Sequence, residues 1–111
     1  KIKIEKMSVL SKEVFFSKDT DVDKIITVDG ETFPVNEIII VLQDSATLFD
    51  AEIITNSISG RITGFIPEPQ IYKIEVSVST PDGLDSLVSA LQAQQNPLIL
   101  FVVKNLSGSL K

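Results

Sequence analysis

Cysteine and histidine are both absent from this sequence. Without cysteine there is no disulfide framework and no thiolate chemistry, and the redox compartment stays open. Without either residue the usual ligands of zinc, copper and haem are missing, as are the common nucleophile–base pairs. An enzyme made from this chain alone would have to use carboxylates, lysines or Tyr72. The expectation is a non-enzymatic protein with no cofactor and no metal site. Tryptophan is absent too, and tyrosine occurs once. That removes the aromatic platforms on which sugar clefts and single-strand nucleic-acid grooves are built. No apolar run approaches the ~18 residues of a membrane span. The longest, 38–42 and 98–103, are strand-sized, so no membrane partner is expected.

Positive charge is also scarce. Ten Lys and Arg against fifteen Asp and Glu leave a net charge of −5. This argues against specific nucleic-acid binding and against docking on anionic lipid through a basic surface. Lys1, Lys3 and Lys6 form the only basic cluster, and a solvated strand face accounts for it.

What remains is an ordinary globular composition, 43% hydrophobic and 23% charged over 111 residues. That length suits one domain, 1–111, with a modest core. The chain begins at Lys1 rather than Met; a processed form and a fragment of a longer chain are both compatible with that.

Most of the sequence reads as strand. KIKIEKMSVL (1–10) alternates at Ile2 and Ile4 and again, out of phase, at Met7 and Val9, as a bent strand would. EVFFS (13–17) is a short strand candidate and SKDTDVDK (17–24) an acidic loop. In KIITVDGETFPV (24–35), Asp29-Gly30 between two β-branched and aromatic runs predicts a two-residue type I′ hairpin. It sets Val28 opposite Glu31, Thr27 opposite Thr32 and Ile26 opposite Phe33, and Pro34 marks an edge or an end. EIIIVLQ (37–43) is apolar on both faces, as in a strand covered on each side. DSATLFD (44–50) reads as a turn or short helical stretch, and AEIITNSISGRITGF (51–65) as one strand or two, broken at Ser59-Gly60. IPEPQ (66–70) is an extended loop. In QIYKIEVSVST (70–80), Tyr72, Ile74, Val76 and Val78 line one face, while Ile71, Lys73, Glu75, Ser77 and Ser79 line the other.

STPDGLDSLVSALQAQQNP (79–97) is different. Thr80 is a good N-cap, Pro81 fits the first helical position, and Asp82 and Asp85 suit the helix dipole. Leu84, Leu87, Val88 and Leu91 make one apolar stripe. LILFVVK (98–104) then reads as a buried strand. One helix cannot cover both faces of a parallel sheet. The expected fold is therefore mainly β, a β-rich α+β chain: an antiparallel sandwich or barrel with one flanking helix near 81–95.

The chemical motifs are weak. Asp19-x-Asp21-x-Asp23 opens like a calcium loop, but Lys24 stands where glycine is needed and Gly30 where glutamate is needed. Gly60-Arg61-Ile62-Thr63-Gly64 matches no phosphate-binding pattern, and its glycines suit a bulge or bend. Phe15, Phe16, Phe65, Ile66 and Ile71 flank polar or proline-bearing loops, where a small core has little left to fill. They either cap the ends of the core or await a neighbouring subunit.

IYKIEVSVST, then PDGLDSLVSALQAQQ, then PLILFVVK, the last third of the chain, resembles the tail-tube superfamily of phage tails and contractile injection systems. That group includes tube subunits and the tube-like domains of distal-tail and baseplate-hub proteins. The resemblance rests on the order of element types and carries over no functional residue. It implies a virion structural protein, assembled in the host cytoplasm, whose partners are copies of itself, closing into rings, and other tail or baseplate proteins. The competing expectation is a monomeric β-sandwich binding or adhesion module of a secreted or surface protein.

Overall fold

Residues 15–67 and 69–106 are described by a computed structural model. The alternating segment 1–10 lies outside the described residues.

Asp29 and Gly30 both take positive φ, 52° and 83°, as a type I′ turn requires. They join β2 (Ile25–Val28) to β3 (Glu31–Pro34) in the register the turn dictates, with Ile26 opposite Phe33 and Thr27 opposite Thr32. The two threonine hydroxyls meet at 2.9 Å on the wet side. Phe33 is fully buried, and Ile26 packs against the core beside it. The strand ends at Pro34, which has no N–H to continue a ladder.

Among the described residues the main sheet has five strands in the order β1 (Phe15–Phe16), β5 (Arg61–Ile66), β6 (Gln70–Glu75), β4 (Glu37–Leu42), β7 (Ile99–Lys104). Every pairing in it is antiparallel. β4 lies between β6 and β7 and is buried at five of its six positions, as its two-sided apolar sequence predicts. Two bulges bend the sheet. Thr63 is the extra residue of β5 between Ile62 and Gly64, where the glycines suit a bend, and Leu100 is the extra residue of β7 opposite Val41 and Leu42.

The segment 51–65 departs from the sequence expectation. Its first half belongs to a second helix, α1 (Leu48–Ser57), and only Arg61–Ile66 is strand. β-branched Ile53, Ile54 and Thr55 favour a strand by propensity, but the capping box ahead of them decides the outcome. Thr47 Oγ1 accepts from the Asp50 N–H at 3.1 Å, and Asp50 Oδ2 accepts from the Thr47 N–H at 2.9 Å. Leu48, Ala51 and Ile54 then fall on one buried face. Ser59, at φ 55°, turns the chain out of the helix.

α2 (Pro81–Ala93) forms where expected, two residues shorter than the expected 81–95. Thr80 Oγ1 accepts from the Gly83 N–H at 3.0 Å, and Leu84 and Leu91 are almost wholly buried. The core gathers one face of the sheet (Ile38, Ile40, Ile62, Tyr72, Ile74, Val102) with Phe33 of the hairpin and the apolar faces of both helices. The fold is thus β-rich α+β on antiparallel sheets, sandwich-like. Its second layer is shared by a hairpin and two helices rather than one.

Candidate assembly surface

The opposite face of the sheet is ordered in rows set by the strand register. At one end Arg61, Glu75 and Glu37 are cross-strand neighbours. In the middle stand Gly64, Lys73, Ile39 and Val103, with Phe16 opposite Gly64. At the other end Ile66, Ile71, Val41 and Phe101 make an apolar strip across four strands.

The charged end is a closed network. Glu37 and Glu75 sit directly opposite each other, an arrangement that repels unless cations stand between. Arg61 Nη2 donates to Glu75 Oε1 at 2.7 Å, and Lys18 binds the other oxygen. Lys73, only 1% exposed, lies 3.8 Å from Glu37 and donates to the Lys18 carbonyl at 2.7 Å. Glu37 Oε1 also accepts from Thr20 at 3.0 Å and from Asn105 at 3.1 Å. These bonds strap the 17–21 loop across the sheet. The alternation in β6 puts Lys73 on the face opposite the core, yet this strap leaves it buried there.

Hydrogen bonding from Lys18, reinforced by Arg61, holds the Glu75 carboxyl below the ordinary carboxylate range despite partial burial. The same bond holds the Lys18 ammonium above the ordinary lysine range. Glu75 then adds stability at pH values above the ordinary carboxylate range, lost as pH falls through its lowered value. Lys18 adds stability below the ordinary lysine range, lost as pH rises through its raised value. The thermal midpoint is expected to be level around neutrality and to fall at both extremes, with Glu75→Gln flattening the acid limb. Calorimetric scans of both proteins across pH check this, and an unchanged acid limb in the variant would count against it.

Asp21, in the calcium-like triplet, pairs with Lys18 at 3.4 Å. Among the described residues no cluster of three or more acidic side chains is arranged to hold a metal ion. Nor is any helix among them long and apolar enough to cross a membrane.

The five residues singled out from sequence are placed as follows. Phe65 faces the core, 4% exposed, its ring 5.0 Å from that of Tyr72. Phe15 is its register partner across β1. Phe16 lies half-buried over Gly64, where an added Cβ would come within 2.5 Å of its ring, and 5.8 Å from the Lys73 ammonium. Ile66 and Ile71 are half-buried partners in the apolar strip.

β7 corrects a further expectation. Among the described residues it is an edge of the sheet, and only Val102 of its six side chains is buried: Leu100 is 49% exposed, Phe101 62% and Val103 44%. A groove of about 280 Å³ runs between this edge and the C-terminal turn of α2, lined by Leu91, Gln92, Asn96 and residues 99–103. An apolar run looks the same in a central strand and in an edge strand, so neither Phe101 nor Val103 stands out in the sequence. Phe49 and Ile53, one turn apart on α1, are also more than half exposed.

No protein-family model, no curated protein and no solved structure matches this chain.

Proposed function

We propose that this protein is a structural subunit that docks onto copies of itself, in the setting that its resemblance to tail-tube proteins implies. That setting is a component of a phage tail or related injection apparatus, joined to other tail or baseplate proteins. One observation carries the reading: among the described residues β7 offers six residues of sheet edge, without proline or an outward-facing charge, with Leu100, Phe101 and Val103 exposed along it. Proteins that remain monomeric blunt such edges with charge, proline or a covering element. Contiguous apolar surface at a sheet edge is better used as an assembly surface.

Light scattering coupled to size-exclusion chromatography, from micromolar to near-millimolar protein, is expected to show concentration-dependent oligomers. Phe101→Lys is expected to weaken the association by about 30-fold or more, as loss of an aromatic anchor does. Its unfolding midpoint should barely change, because the side chain is exposed. A chain that stays monomeric throughout that range would sink the proposal and favour the monomeric binding module.

A further inference from the structure

Resting on that reading, the geometry points to one partner for β7: we propose that it pairs antiparallel with β7 of a second copy across a two-fold axis. Two five-stranded sheets then become one, with Val102 opposite the second copy's Val102.

Three observations lead there. First, the Val102 carbonyl already accepts a donor from outside the sheet, Gln92 Nε2 of α2 at 3.2 Å. A side-chain amide stands where the N–H of an added strand would come, and it gives way to the second copy's Val102 N–H. Second, with Val102 central, Phe101 lies opposite the second copy's Val103 and the reverse. Both are exposed on the same face, and aromatic and β-branched side chains make favourable cross-strand pairs. The apolar strip that ends at Phe101 thereby runs on into Val103 and Ile39 of the second copy. Third, no uncompensated charge meets its like. The one charge on β7, Lys104, is bound within its own copy by Asp85 at 2.8 Å and Glu31 at 3.7 Å. An identical, uncharged surface is thus an acceptable neighbour although each chain carries −5. A self-complementary strand makes an isologous contact.

The absence of cysteine makes the test direct. Phe101→Cys and Val103→Cys chains are oxidised mildly, separately and mixed. In the proposed register, residue 101 faces 103 of the second copy within disulfide reach, whereas 101 to 101 and 103 to 103 are diagonal and too far apart. The mixture is expected to give at least about fivefold more linked dimer than either chain alone. Amide exchange in the wild-type chain, followed from dilute to concentrated solution, is the second measurement, and the Val102 N–H is expected to slow at least tenfold on association. Efficient linking by one variant alone overturns the register and the pairing. Unchanged Val102 exchange in samples whose scattering shows oligomers overturns the pairing and leaves self-assembly standing. Monomers at every concentration remove both.

Discussion

Lys73→Ala is expected to lower the unfolding free energy by about 3–5 kcal/mol, the usual cost of leaving one member of a buried ion pair alone. The side chain is 1% exposed and its partner Glu37 is 4% exposed, so water does not replace what is lost. Much of the penalty belongs to Glu37, whose carboxylate would keep only its neutral donors, Thr20 and Asn105. The test therefore adds a double variant, Lys73→Met with Glu37→Gln. It fills the volume, removes both charges, and keeps an amide oxygen for those two donors. It is expected to recover most of the loss, because a buried pair adds little over well-packed neutral groups. Urea unfolding of the three proteins measures this. A single-variant loss under about 1 kcal/mol would mean that the pair is hydrated in solution.

Leu84→Ala is expected to cost about 2–5 kcal/mol, the range for a buried leucine that leaves a cavity. Leu84 is 0% exposed and belongs to the same core cluster as Val76 and Val102. Thr80→Ala, which removes only the cap, should cost about 1 kcal/mol. This order expresses what holds α2 in place, since tertiary packing outweighs terminal hydrogen bonding in a thirteen-residue helix. Urea unfolding followed by far-ultraviolet circular dichroism gives both values. A cap variant worse than the core variant would reverse the argument.

The features legible in the sequence are those specified by near neighbours. Asp29-Gly30 determines a hairpin and its register within ten residues, and Thr80-Pro81 with the leucine stripe determines α2. α1 carried an equally local signal in Thr47 and Asp50, but the β-branched residues after it weigh toward strand when composition is read before caps. Strand order is of another kind. Whether 98–104 lies at the centre or the edge of the sheet depends on which strands flank it, and an apolar run contains no record of that. The exposure of Phe101 and the burial of Lys73 both follow from such distant pairings. For the same reason, Ile66 and Ile71 stand out beside their proline loop, while Val41 and Phe101, which complete their strip, do not.

Glu37 Oε1 is shared by Thr20, from the loop that follows β1, and by Asn105, just beyond the last residue of β7. Those two donors arrive from opposite rims of a five-stranded sheet. A single oxygen atom therefore ties the molecule's two flanks together, and a change that pulls the loop away from it also loosens the exit of the strand on the far side.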